Sequence, residues 1–124
     1  MNNRIDKEEF LNLIKYYRET KDPKSYTRLA KIFLDIANNL TYHYWYVNYS
    51  KDRKDEMVSD AVYYMIKYMG SFDVERGNPF AYFTTTAWRA FRQYIMKTKR
   101  REEIFTSIEY IDNMNEVDQW KLHW

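Results

Sequence analysis

The 124-residue sequence contains no cysteine and only two histidines. Without cysteine there is neither a disulfide framework nor a thiolate metal site, and a histidine-based metal cluster is not expected. Two glycines and two prolines are too few for a turn-rich β fold. The start of the chain has no apolar stretch of the secretory kind, and no apolar run has the length needed to cross a bilayer. We therefore expect a cytoplasmic protein that is not bound to a membrane.

The sequence also lacks the short motifs of common catalytic sites. It contains no nucleophile elbow and no glycine-rich phosphate loop. Glu56 and Asp60 share one side of a predicted helix, but such a pair is much more often an exposed charged face than a pair of catalytic carboxylates. We therefore expect a protein that is not an enzyme and that needs neither a cofactor nor a metal.

Aromatic residues and segregated charges are abundant instead. Phe, Trp and Tyr make up 19% of the chain. This is more than a core of this size needs, so some aromatic faces are expected at the surface. Residues 76–101 hold seven basic residues and no acid, whereas residues 102–124 hold six acids and one lysine. A basic block beside an acidic tail indicates a polyanionic partner more clearly than the net charge of +2 does.

Helical periodicity predicts an all-α chain of four or five helices. The first opens at Asp6, whose spacing to Glu9 fits a capping box, and Lys21-Asp22-Pro23 breaks it. The second and third are predicted over about 25–48 and 55–69. The second ends in YHYWYVNY, which is aromatic at nearly every position and is interpreted as a buried helix end.

The fourth helix begins with the N-cap pair Asn78-Pro79 and has two different sides. At 100° per residue, the inward side collects Phe80, Thr84, Ala87, Phe91, Tyr94 and Thr98. The far side collects Tyr82, Thr85, Thr86, Arg89, Arg92, Gln93 and Met96, with Trp88 on the flank. Basic side chains neutralise phosphates and aromatic faces receive unpaired bases, so this side suits a partly single-stranded nucleic acid. A core helix with a solvated basic face remains the alternative.

The order of features over residues 55–101 resembles conserved region 2 of bacterial sigma factors. That family has an acidic amphipathic helix, a Phe-Asp-x-x-x-Gly loop, and Phe-x-x-Tyr at the start of an aromatic, basic helix. This chain has Phe72-Asp73, Gly77, and Phe80 with Phe83 at those spacings. Because it is short, it is most similar to the late-transcription sigma factors of tailed phages.

The resemblance implies a domain organisation and residue roles. A compact helical bundle like sigma domain 2 is expected over residues 1–101, and an acidic, hydrophobic tail over 102–124. The face that docks on the β′ clamp coiled coil of core RNA polymerase matches Glu56, Met57, Ser59, Asp60 and Tyr63. The positions that bind promoter DNA, including its melted non-template strand, match Phe72, Arg76, Phe80, Tyr82, Phe83, Thr85, Thr86, Trp88, Arg89, Arg92, Gln93, Lys97, Lys99, Arg100 and Arg101. Among these, the capture of a flipped base is implied for Phe72, Arg76, Phe80, Tyr82 and Phe83.

Two features depart from the family pattern. Thr86 and Ala87 stand where primary sigma factors have the aromatic pair that wedges the duplex open, so either Trp88 or the core enzyme is expected to take that part. The residues after Arg101 are too few for a region 4, so no upstream −35 element is expected to be read. The tail residues Val117, Trp120, Leu122 and Trp124 are candidates for binding the polymerase β flap, and a tail folded back on the domain is the alternative.

The resulting hypothesis is a phage-type sigma factor in the cytoplasm of an infected host. It is expected to bind host core RNA polymerase and to recognise and help melt an AT-rich, −10-like late promoter, with or without a phage co-activator. Two alternatives stay open. One is a stand-alone nucleic-acid-binding protein, and the other is a polymerase-binding inhibitor or adaptor that opens no promoter.

Overall fold

The computed structural model describes residues 5–75 and 77–112, and side chains as far as Glu109. The fold of these residues is all-α, as predicted, and they contain no strand. The helices are α1 (Lys7–Thr20), α2 (Pro23–Leu40), α3 (Lys51–Tyr68), a 3₁₀ turn (Met69–Ser71) and α4 (Pro79–Asp112). Within this part of the chain, no helix combines the length and the apolar character that a membrane span requires. The chain divides into two compact units, one ending at Arg92 and the other beginning at Gln93.

The first three helices begin at side-chain caps. Asp6 accepts a hydrogen bond from the Glu9 N–H at 2.8 Å, at the predicted start of α1. Asp22 and Ser50 accept corresponding bonds at the starts of α2 and α3. Each such cap stabilises its helix by about 1 kcal/mol. Because Ser50 is the cap, α3 begins four residues earlier than predicted.

The core of the first unit is a cluster of phenylalanine rings centred on Phe83, which has no exposed surface. Its ring centroid lies 4.6 Å from that of Phe33 in α2 and 5.6 Å from that of Phe10 in α1. The ring of Phe72, after the 3₁₀ turn, is 5.5 Å away. The third helix adds the buried residues Met57, Val58, Ala61 and Met65. All four helices and the loop after α3 therefore contribute to one core.

The second helix ends at Leu40, and the prediction that it continues to residue 48 is wrong. Residues 41–49, which we call the aromatic turn segment, form successive turns instead. His43 donates its backbone N–H to Leu40 O at 3.0 Å, and Tyr46 donates to His43 O at 2.8 Å. The buried-end interpretation is also wrong, because only Thr41 and Tyr46 of this segment are buried. With an aromatic residue at nearly every position, the segment has no apolar periodicity that marks an end.

Arg18 of α1 ties the first helix to the loop that follows α3. Its guanidinium Nη2 donates to the backbone carbonyl oxygens of Met69 and Phe72. Carbonyls at the end of a helix lack intrahelical partners, and a nearby cation is favourable there. The contact holds the start of the loop at Phe72 close to α1.

The second unit is described over residues 93–112, all within α4. Every side chain from Arg101 to Glu109 is exposed, including the apolar Ile104, Phe105 and Ile108. The predicted domain boundary after residue 101 stays a prediction. The four predicted flap-binding residues Val117, Trp120, Leu122 and Trp124 lie outside the described residues.

We expect Arg18→Met to lower the free energy of unfolding by about 1–3 kcal/mol, because the two carbonyls lose their charged donor while the apolar stem is kept. The measurement is urea unfolding followed by circular dichroism. The matched control is Arg28→Met, whose guanidinium makes an exposed ion pair with Glu9 at 3.8 Å. Loss of that pair should cost between zero and about 1 kcal/mol. Equal losses in the two variants would contradict a special role for Arg18.

Candidate nucleic-acid interface

Within the first unit, α4 presents one buried and one exposed side. The buried residues are Pro79, Phe83, Ala87, Ala90 and Phe91. The exposed residues are Ala81, Thr84, Thr85, Trp88, Arg89 and Arg92. The inward position predicted for Ala87 and Phe91 is confirmed. Thr84, predicted to face inward, is exposed. Phe83 is buried, and the next residue of a helix points about 100° away from it.

The structure separates the predicted base-capturing residues into two groups. Phe72 and Phe83 are buried in the core, so neither offers a free ring face. Phe80 is half-buried, with its ring centroid 5.1 Å from that of Phe10. Tyr82 is also half-buried, with its ring 4.8 Å from that of Phe72. Only Phe80 and Tyr82 retain exposed surface here, and Arg76 lies outside the described residues.

The Phe72–Gly77 loop is shaped by close packing. The Gly77 N–H donates to Asp73 O at 2.9 Å, and the Glu75 N–H donates to the Asp73 carboxylate at 3.0 Å. A Cβ at position 77 would lie 2.4 Å from Cε1 of Phe72, which is far inside van der Waals contact. The Phe-Asp-x-x-x-Gly spacing is therefore accounted for by a turn whose glycine lies against the buried ring.

Asn78 connects this loop to α4. Its side-chain oxygen accepts the Phe80 N–H at 3.0 Å, so the predicted N-cap is confirmed. Farther along the helix, the Thr86 hydroxyl donates to Tyr82 O at 3.0 Å. The Thr86 hydroxyl proton is therefore engaged within the helix. The side chain of Thr85 is exposed to solvent.

Trp88 lies in the exposed side of α4 and is stacked on Trp45 of the aromatic turn segment. The two ring centroids are 5.2 Å apart and the planes are inclined by 23°. Next to this pair, the buried Tyr46 packs edge-on against Phe91 at 5.1 Å. Burial raises the pKa of the Tyr46 hydroxyl, and a side-chain hydrogen bond from Trp88 acts in the opposite direction. The Trp45–Trp88 stack and the Tyr46–Phe91 contact therefore join the aromatic turn segment to α4.

The basic residues that are predicted to bind DNA and that the structure describes are exposed. In the first unit these are Arg89 and Arg92, and neither forms an ion pair with an acid among the described residues. In the second unit the exposed residues include Gln93, Lys97, Lys99, Arg100 and Arg101. Exposed surface cations are available to neutralise phosphates.

The predicted polymerase-binding residues lie on α3. Glu56, Ser59, Asp60 and Tyr63 are exposed, at positions that share one helical side. Met57 has no exposed surface, so it supports this side from the core and is not itself available for contact. Within the described part of the chain, Asp60 forms no ion pair.

No family model matches this sequence, and no curated protein matches it. The resemblance to sigma region 2 therefore depends on the residues and their spacing. Among the described residues, no group of three or more histidine, aspartate or glutamate side chains is arranged to hold a metal ion.

Sequence reasoning missed two residues that shape this surface. Arg18, which holds the loop, carries no local signal, because its partners are 51 and 54 positions away. Trp45 did have a signal: it lies in a segment rich in aromatic residues and free of Asp, Glu, Lys and Arg. That composition predicts burial, whereas Trp45 is 49% exposed.

We expect Gly77→Ala to destabilise the fold by about 1–3 kcal/mol, because the new methyl group overlaps the ring of Phe72. Thermal unfolding followed by circular dichroism measures the effect. Gly70→Ala is the matched control, since its Cβ would meet no atom within 4 Å. Its stability should be unchanged or raised by up to about 1 kcal/mol. A neutral Gly77→Ala variant would show that the close approach is not required.

Proposed function

We propose that the protein is a phage-type sigma factor that recruits core RNA polymerase to a promoter and helps to open it. The observation that carries the proposal is the exposed side of α4, where Trp88 lies among Arg89, Arg92 and Thr85. This set provides cations for phosphates, a hydroxyl for hydrogen bonds and a ring for an unpaired base. A protein that binds only double-stranded DNA needs no exposed indole. These side chains therefore favour DNA whose strands are partly separated.

The polymerase-binding part of the proposal rests on α3. Its exposed side presents the Asp60 carboxylate and the Tyr63 ring, which is 61% exposed. Tyrosine is enriched in surfaces that bind a protein, and a charge at the rim of such a surface helps to select the partner. The resemblance assigns this side to the clamp coiled coil of the polymerase, and the bond-forming chemistry then belongs to the polymerase.

Promoter opening in this proposal follows from binding energy. Extruding a base costs a few kcal/mol, and stacking on an aromatic side chain returns about 1–3 kcal/mol per base. Thr86 and Ala87 have no aromatic ring to contribute, and Ala87 is buried. Trp88 is the exposed aromatic residue next to these two positions, so we assign the base-receiving part to it. Alone, the chain should bind intact duplex poorly, and core polymerase should supply the remaining strand separation.

Transcription by core polymerase tests the proposal directly. Purified protein, core enzyme and an AT-rich phage late promoter should together give defined start sites that core enzyme alone does not produce. A chain that neither comigrates with core enzyme nor directs a start site is not a sigma factor. Comigration without any start site would favour the inhibitor or adaptor.

We expect Asp60→Lys to weaken core-polymerase binding by at least about tenfold, because a reversed charge inside a polar interface costs several kcal/mol. Binding is measured by fluorescence anisotropy of labelled protein, and the fold by thermal unfolding. Asp35→Lys on the exposed side of α2 is the matched control and should bind like the unmodified chain. Equal binding by the Asp60 variant would remove this side of α3 from the interface.

The double variant Arg89→Gln, Arg92→Gln tests the DNA-binding side. Its affinity for a melted promoter fragment should depend less on salt, with the log–log slope smaller by about 1.4 to 1.8, because two phosphate contacts are lost. The control is Lys24→Gln, Lys31→Gln on α2, which should keep the original slope. If the salt-dependence slope falls equally in both double variants, the protein binds DNA through its overall charge and not through this side of α4.

A further inference from the structure

We propose that Trp45 and Trp88 together form a stacking platform for the unpaired bases of a single-stranded nucleic acid. Trp45 lies outside the stretch 55–101 that carries the sigma resemblance, and neither that resemblance nor the charge pattern gives it a part. The inference rests on the nucleic-acid half of the proposed function. It does not require polymerase, so its failure and the failure of the sigma proposal can be told apart.

The two indoles form a continuous exposed aromatic surface. Trp45 is 49% exposed and Trp88 44% exposed, although they are stacked on each other. The surface continues along the turn segment through Tyr44, whose ring centroid is 5.2 Å from that of Trp45 and which is 71% exposed. The rings already touch, so a base is received on their exposed area and not between them. Contiguous exposed apolar patches are more often binding surfaces than single scattered hydrophobic residues are.

The platform is held in place before any ligand arrives. The backbone N–H of Trp45 donates to Nδ1 of His43 at 3.3 Å. The Lys54 ammonium donates to Val47 O at 2.9 Å, which ties the aromatic turn segment to α3. Tyr46, which follows Trp45 in the chain, is buried and packs edge-on against Phe91 of α4. These contacts restrain the backbone of the aromatic turn segment, and the two indoles restrain each other by stacking, so less conformational freedom is lost on binding.

The basic residues near the two indoles favour a negatively charged ligand. Trp45 lies in residues 41–50 and Trp88 in residues 79–92, and neither stretch contains an acid. Arg92 lies one helical turn beyond Trp88, a separation at which Cβ atoms are about 5–6 Å apart. Arg89 is exposed on the same helix. A nucleotide whose base stacks on the indoles would thus have its phosphates within reach of two cations. An apolar peptide at the same place would leave both cations without a counter-charge.

The test is equilibrium binding of the full chain, without polymerase, to two labelled single strands of equal length. One is oligodeoxythymidylate, and the other carries abasic sites, so that charge is kept and bases are removed. Stacking of one base on an aromatic residue corresponds to about a 5- to 150-fold change in Kd. The unmodified chain should therefore prefer thymidylate by at least about fivefold, measured by fluorescence anisotropy.

Trp45→Leu should reduce that preference while leaving affinity for the abasic strand unchanged, and Trp45→Phe should restore most of it. The matched control is Tyr16→Leu, which removes a 52% exposed ring from α1 and should behave like the unmodified chain. Circular dichroism melts establish that each variant is folded.

Three results would overturn the inference. The first is unchanged thymidylate binding by Trp45→Leu, and the second is an equal loss of affinity for both strands. The third is unchanged strand binding with weakened binding to core polymerase, which would make the tryptophan pair a protein-docking surface. If the platform binds thymidylate but the chain supports no transcription, this inference holds and the sigma proposal fails.

Discussion

The ring of Phe83 determines how the first unit of this protein is arranged. It contacts Phe10, Phe33 and Phe72, so one side chain of α4 touches α1, α2 and the loop after α3. Fixing this ring in the core also fixes the rotation of α4 about its axis. Trp88 follows five residues later, about 140° around the helix, and is therefore turned outward. The surface available to DNA is a consequence of which phenylalanine fills the centre.

Local features of this fold were predictable from the sequence, because their causes lie within a few residues. The cap at Asp6, the break near Pro23 and the start of α4 at Asn78 each depend on a side chain bonding to a nearby backbone group. The end of α2 was not predictable in the same way. Its aromatic continuation has no periodicity, and its path depends on the burial of Tyr46 against Phe91, a residue 45 positions later.

The candidate site shows the same division. Exposure of Arg89, Arg92 and Asp60 follows from helical spacing and was predicted. Positional resemblance, in contrast, assigned Phe72 and Phe83 to base capture, and both rings are in the core. Resemblance transfers a position along the chain, but the side to which a ring turns depends on what else fills the space. In the same way Trp45 joins Trp88 only through tertiary packing, and no pattern in either stretch pairs them.

Phe72 and Gly77 have a consequence for how this sequence can diverge. Because the ring of one occupies the space where the other would carry a Cβ, the two positions behave as a single unit of variation. A side chain at 77 becomes acceptable only together with a smaller residue at 72 or a displaced loop. Distant relatives with a side chain at 77 should therefore also have a smaller residue at 72, and substitution of Gly77 alone should be rare. The steric constraint thus joins a position in the core to a position in the loop across a fixed spacing of five residues.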